Sequence, residues 1–438
     1  MFDTLPLPSI SSDELRGRIS RLAPEARRVL ELVVDRARGL ALPIAWVGGG
    51  VRDLLLEREH PDFDLVVEGD PVALGKTLSA PLGGTLRVHD RFGTATLVAD
   101  PYRVDLARAR REAYPQPAAL PAVTPAPLEE DLGRRDFTLN AMAIRFSLDR
   151  AAPPEWLDPH GGLRDLRSGE LRVLHPRSFE DDPTRILRGI GFELRFGFRL
   201  ARGTERLARL ALEEGLLERL SGERLWKALG RVLERRSGVA SALARLRELG
   251  ALRRLLGPEA DVDAAIALAA AAVATDSSGA NGAEPDEGAD ELCLIAVGAG
   301  LSREGRRGLA KRLSLPAHGN ETLVEAPDRI AGACRRLTAE PQPHEVAELL
   351  APLSPLEIAV ARTVGGKRVA DWVDLWRSDL RHRESTLSAS DLLAAGVPSG
   401  PAIGVGLRAA RRARIDRDLA PEDELAVALA AARVEEPS

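Results

Sequence analysis

The chain has 438 residues, 44% of them hydrophobic and 29% charged, with a net charge of −5. That is the composition of a soluble globular protein of two to four domains, not of a disordered or collagenous chain. The two cysteines, Cys293 and Cys334, are too few and too far apart for a zinc site or a disulfide framework. No apolar run reaches the ~18 residues of a membrane span, and the start of the chain lacks a basic segment followed by an apolar one, so the expectation is a cytoplasmic protein.

In chain order, apolar residues at helical spacing over 13–40 predict one or two opening helices. Short apolar runs at 44–47, 65–67, 86–88, 94–98 and 103–106 predict a five-stranded mixed sheet, with helices near 52–56 and 71–79. Residues 113–128 are rich in proline and read as a loop. A turn and a further strand are expected over 137–146, and from about 178 the pattern becomes helical, with a helix at 184–196 capped by Asp182 and started by Pro183. Residues 273–290 are acidic, low in complexity and expected to be disordered. Near the end a Gly/Pro turn precedes a basic helix over 407–417.

Chemistry concentrates in two stretches. Asp62 and Asp64, two apart in an apolar run, share one face of a strand. Two neighbouring carboxylates repel unless a cation lies between them, and Mg²⁺, a hard ion that accepts substrate phosphates, suits that donor set. Upstream, Gly48, Gly49 and Gly50 let backbone approach a phosphate, and Arg52 offers a planar cationic fork. Together these residues point to nucleotidyl transfer. Basic side chains at Arg199, Arg202, Arg206 and Arg209, and at Arg408, Arg411, Arg412 and Arg414, are candidate RNA contacts. Aromatic residues make up only 4% of the chain, which favours recognition of a folded RNA's backbone over extensive stacking on a single strand.

Gly48-Gly-Gly-Val-Arg-Asp53 followed by Asp62-Phe-Asp64 resembles the signature of the polymerase-β-like nucleotidyltransferases, and within them of the class II tRNA nucleotidyltransferases and bacterial poly(A) polymerases. Further blocks resemble that family in order: Arg134 to Ala143, Asp158 to Leu166, Phe179 to Arg188, and Ser221 to Trp226, so the likeness covers roughly residues 40–230. It implies an α+β architecture: a nucleotidyltransferase head with a small mixed sheet (1–170), a helical neck (171–235), and a helical body and tail that bind tRNA (236–438). It implies Asp62 and Asp64 as metal ligands, with Asp105 as a third catalytic carboxylate. It implies Gly48, Gly49, Arg52, Arg135, Asp136 and Asn140 around the triphosphate and ribose, and Asp182, Arg185 and Arg188 at the base of the incoming nucleotide.

The expected reaction is addition of CMP and/or AMP from CTP and ATP to the tRNA 3′ end, without a nucleic-acid template and with release of pyrophosphate. CC-only or A-only addition and poly(A) synthesis are alternatives with the same head; a non-catalytic RNA-binding protein is the alternative of another class. Two departures bear on base choice. Asp181-Asp182 stands where relatives usually carry Glu-Asp, and Gly191 precedes Phe192 where they usually carry arginine.

Overall fold

A computed structural model describes residues 9–58, 62–89, 93–258, 260–276, 288–417 and 419–433. The first residues of the chain, the middle of the low-complexity segment and the final Glu-Glu-Pro-Ser lie outside the described residues. The segment's ends are helical instead of disordered: Val262–Asp276 and Ala289–Ala299 are both helices. Contacts divide the chain into two compact units, Met1–Val232 with Glu248–Leu255, and Leu233–Arg247 with Leu256–Ser438.

The first unit opens with helices α1 (Ser12–Ser20) and α2 (Pro24–Gly39), then β1 (Ile44–Val47), α3 (Gly49–Leu55), β2 (Asp62–Val67), α4 (Pro71–Leu82), β3 (Thr85–His89), β4 (Thr94–Ala99) and β5 (Tyr102–Arg108). Next come β6 (Arg110–Ala113), β7 (Ala122–Pro125), α5 (Leu128–Gly133), a short turn of helix (Thr138–Asn140), β8 (Ala143–Phe146) and β9 (Glu155–Leu157). The sheet has seven strands in the order β3-β4-β5-β2-β1-β8-β9, with β2 and β5 parallel and the other pairs antiparallel. The five-strand expectation falls short because β8 and β9 extend the edge, and β9 is too short, at three residues, to announce itself by periodicity. The proline-rich stretch is not all loop either: β6 and β7 pair as an antiparallel ribbon through Arg110↔Pro125 to Ala113↔Ala122.

Alternation sorts β2 into two faces. Phe63, Leu65 and Val67 enter the main core with Val29, Val33, Leu74 and Leu78 of α2 and α4. Val66, on the opposite face, packs with Ala45, Val47, Leu128 and Leu132, so α5 covers only part of that side. Asp62 and Asp64 share that partly covered face.

Beyond the sheet are α6 (Gly162–Ser168), α7 (Ser178–Asp181), α8 (Thr184–Phe196), α9 (Arg202–Glu213) and α10 (Gly222–Val232). Arg199 is not on a helix with Arg202, Arg206 and Arg209; it sits in a two-residue strand ahead of α9, so the proposed four-arginine face begins at Arg202. Gly191 has a packing reason: a Cβ there would stand 3.1 Å from the Arg231 carbonyl oxygen, because α8 and α10 approach backbone to backbone.

The second unit is helical. One of its buried clusters includes Leu337, Val346, Leu350, Val369, Val373 and Ile415. Near its end, Leu392, Ala410, Ala428 and Ala432 pack together where the helix Pro401–Arg417 lies against Pro421–Arg433. The basic helix thus begins six residues before the expected 407.

Candidate active site

β1 ends at Val47 and the chain turns into α3 through Gly48, whose φ of 70° and ψ of −132° suit glycine alone. A Cβ at Gly48 would also stand 2.8 Å from Arg135 Nη1, and one at Gly50 would meet Trp46 Nε1 at 2.3 Å. Gly48 and Gly50 therefore each have a steric reason.

A cleft of about 450 Å³ lies at this turn. Of the residues expected in the site, Gly48, Gly49, Asp64, Arg135, Asp136, Asn140, Asp182, Arg185 and Arg188 line it. Arg110, Glu112, Tyr114, Arg134 and Arg224 also line it and were not expected as site residues. The cleft is thus rich in arginine within a chain of net charge −5, a local basic patch of the kind that attracts polyanions.

Of the three expected catalytic carboxylates, Asp64 lines the cleft, whereas Asp62 and Asp105 are not among its lining residues. Register pairs Asp62 with Arg103 and Asp64 with Asp105 across β2 and β5, which sets three acids on adjacent strand positions. Asp105 accepts a hydrogen bond from Thr96 Oγ1 at 2.5 Å and from Arg103 Nε at 2.8 Å. The Arg103 guanidinium is held above its ordinary value first by its hydrogen bond to Asp105, with Asp62 and Asp64 adding smaller contributions. No group of three or more His, Cys, Asp or Glu side chains closes to metal-holding geometry among the described residues. Asp62 and Asp64, an oxygen-only pair on an incompletely covered strand face, fit a hard divalent cation whose remaining ligands come from phosphate and water.

Arg52 does not line the cleft. It is 4% exposed; Nε donates to Asp53 Oδ1 at 2.9 Å and Nη1 to Asn140 Oδ1 at 2.7 Å. Its guanidinium lies 4.5 Å from the Phe196 ring centre and 5.4 Å from that of Phe192. Burial lowers its pKa, and Asp53 opposes that shift. Asn140 carries the link onward, its Nδ2 donating to Asp136 Oδ1 at 3.0 Å. Asp136 also accepts from Phe137 N at 2.8 Å, and its Oδ2 lies 2.5 Å from Arg188 Nη2, an ion pair off the hydrogen-bond line. Burial alone would raise the Asp136 pKa, yet Arg188, Asn140 and the Phe137 amide together hold it below its ordinary value. Arg52, Asn140, Asp136 and Arg188 therefore form one chain of contacts from core to cleft.

The arginines beside Gly48 have their own anchor. Asp131, fully buried, accepts from Arg134 Nε at 2.8 Å and Arg135 Nη2 at 2.9 Å. The only sequence hint was its position three and four residues before them, a helix-neighbour spacing.

At the start of α8, Asp182 Oδ1 receives three donors: Thr184 N at 3.1 Å, Thr184 Oγ1 at 2.7 Å and Arg224 Nη2 at 3.1 Å. All three share one oxygen, so Oδ2 is the one available to a ligand. Arg185 is 4% exposed and donates to the Arg134 carbonyl at 2.7 Å. Arg224, from the Ser221 to Trp226 block to which no site role was attached, is the contributor that local reading missed.

Comparison with known proteins fits this geometry. Residues 44–172 match the family described as the poly A polymerase head domain. The chain is similar to the A-adding tRNA nucleotidyltransferase of Geobacter sulfurreducens, 33% identical over 88% of this chain and 44% of that protein. It is also similar to the CC-adding tRNA nucleotidyltransferase of Deinococcus radiodurans, 45% identical over 39% of this chain and 45% of the relative. It thus spans less than half the length of either. The structure of the Thermotoga maritima CCA-adding enzyme complexed with tRNA superposes with a TM-score of 0.76 at 28% identity, covering 95% of this chain and 98% of that one. The chain is similar to the class II tRNA nucleotidyltransferases. The head signature, Gly48 to Asp53 with Asp62 and Asp64, falls inside the matched head domain. Enzymes with such heads use divalent metal ions, in keeping with the oxygen-only acid pair. No described helix is long and apolar enough to cross a membrane.

Proposed function

We propose that this protein adds CMP and/or AMP to the 3′ end of tRNA from CTP and ATP, without a nucleic-acid template and with release of pyrophosphate. The observation that carries the reading is the joining of Asp64 with Gly48, Gly49 and an arginine-rich wall in one cleft, with Asp62 on the same strand face. Bound Mg²⁺ at that acid pair supplies charge neutralisation and polarisation of the phosphates. Arg135 and Arg188, each fixed by a buried carboxylate, hold the triphosphate against the glycine turn. Asp105, oriented by Thr96, stands beside the acid pair where the attacking 3′-hydroxyl must lose its proton.

Base choice rests on Asp182 and Arg185. The Oδ2 of Asp182 accepts from an exocyclic amine, which CTP and ATP both carry and UTP and GTP do not present at that position. Arg185, tied to the Arg134 carbonyl through Nη2 and more loosely to the Ser178 carbonyl through Nη1, directs its remaining donors to the ring. The RNA is held through phosphates by exposed arginines: Arg199, Arg202 and Arg206 in the first unit, and Arg408, Arg411 and Arg412 in the second. A cytoplasmic location accompanies this substrate.

A narrower reading, A-only addition, is favoured by one observation: the A-adding relative matches 88% of this chain, the CC-adding one 39%. The test uses tRNAs lacking three, one or no terminal nucleotides with labelled CTP or ATP and Mg²⁺. Restoration of CCA supports full addition, and growth only on the tRNA lacking its last nucleotide supports A-only activity. Untemplated growth past one A indicates poly(A) synthesis. Replacing Asp62 and Asp64 by Ala should abolish incorporation while RNA binding survives; retained incorporation would refute the assignment, and wild-type binding without incorporation would make this an RNA-binding protein.

A further inference from the structure

Among the described residues that line the cleft, Tyr114 is the one aromatic side chain. It follows β6, and its hydroxyl donates to Glu112 Oε2 at 2.8 Å. The Glu112 side chain is 7% exposed, and its other oxygen accepts from Arg134 Nη1 at 2.9 Å and Arg110 Nη2 at 3.0 Å. The tip of the tyrosine is therefore fastened to a buried carboxylate, and the half-buried ring is not free to swing. Burial and the Glu112 charge push the phenol well above its ordinary pKa, so it remains a neutral donor; Arg185 and Asp182 are close enough to act on it as well. Tyr114 thus lines the same cleft as Asp182 and Arg185, the pair proposed to read the base edge.

The loop carrying it is tied down on both sides of Ala118. The Ala118 amide donates to the Glu180 carbonyl at 2.8 Å, and the Ala118 carbonyl accepts from Arg224 Nη1 at 2.6 Å. Arg224 is also the residue that holds Asp182. Loop and edge reader are therefore fixed by a single guanidinium.

A nucleobase presents an edge and two faces. The arginines suit phosphates and Asp182 suits an edge amine, but only Tyr114 offers a π surface, and base–aromatic stacking tolerates any base because each has a face. We propose that the Tyr114 ring is the platform on which the base of the incoming nucleotide rests, with Glu112 as its positioning residue. This deepens the transferase reading and rests on it.

The experiment measures equilibrium binding of ATP, CTP and ribose 5-triphosphate, which lacks a base, to the full chain with Mg²⁺ and no RNA. Tyr114→Leu should weaken ATP binding by a factor on the order of ten, and CTP somewhat less because its face is smaller. Ribose 5-triphosphate should bind wild type and Tyr114→Leu equally. Tyr114→Phe keeps the face and loses the Glu112 anchor, so its loss for ATP should be smaller, about two- to threefold. If Tyr114→Leu weakens the base-free triphosphate as much as ATP, or weakens neither, the platform does not exist. Should the wild type bind nucleotide yet extend no tRNA, the transferase reading fails while the same comparison still decides Tyr114.

Discussion

Replacing Arg52 by Met separates two roles that the signature alone leaves joined. A phosphate fork would cost nucleotide affinity; a buried keystone costs stability. The structure supports the keystone, with a guanidinium 4% exposed, packed on Phe192 and Phe196 and bonded to Asp53 and Asn140. Methionine keeps the hydrophobic stem but takes the cation from Asp53, which is itself 3% exposed. Removing one partner of a buried ion pair costs ~3–5 kcal/mol. At ~2–4 °C per kcal/mol for a unit of roughly this size, the melting transition should fall by about 6–20 °C. Scanning calorimetry on the full chain reads this, with Arg52→Lys expected in between, because lysine restores the charge without the fork. ATP affinity per folded molecule should change less than it does for Arg188→Met. If Arg52→Met melts within ~2 °C of wild type while the KM for ATP rises tenfold, Arg52 touches the nucleotide and the keystone argument fails.

Other perturbations follow from single contacts. Gly162→Ala would set a Cβ 2.3 Å from the Thr138 carbonyl oxygen and 2.7 Å from Met142 Cγ; a backbone atom cannot give way, so denaturant titration should show a loss of about 3 kcal/mol. Asp136 is held below its ordinary value against the pull of burial, chiefly by Arg188, so the stability it contributes is present above pH ~4 and disappears as pH falls through its folded value; Asp136→Asn should flatten that acid limb of a melting-temperature profile. His175 is shifted down by burial, with Arg185 adding to the shift. Its proton is therefore bound more readily when unfolded, stability falls as pH drops below ~6.5 toward the folded value, and His175→Gln should remove that slope. In the helical unit Arg412 is already paired with Glu348 at 2.9 Å, whereas Arg408 and Arg411 have no ion-pair partner among the described residues. Replacing all three with Gln should thus lower the salt-dependence slope of tRNA binding by about two contacts' worth, not three.

What the sequence made legible follows a local geometric rule. Two-residue spacing put Asp62 and Asp64 on one strand face, and helical spacing put Arg185 and Arg188 on one helix, whose limits at 184 and 196 were also readable. Misplacements arose where the deciding partner is distant in sequence. Arg52 was read as a cleft cation because the aromatic pair it packs on lies some 140 residues on, at Phe192 and Phe196. Gly191 was read as a missing charge, yet its cause is the Arg231 carbonyl of a helix 40 residues later. Glu112 and Tyr114 sat inside a stretch whose prolines announced a loop, and the ribbon became visible only when β6 found β7. Asp182 shows the limit most sharply. Its place at a helix start was readable, but which of its oxygens can face a ligand depends on the three donors that occupy Oδ1, and one of those comes from Arg224, in another helix. A motif can name an acid; the direction in which its free lone pairs point is a property of the assembled neighbourhood, and discrimination between an amine and a carbonyl depends on that direction.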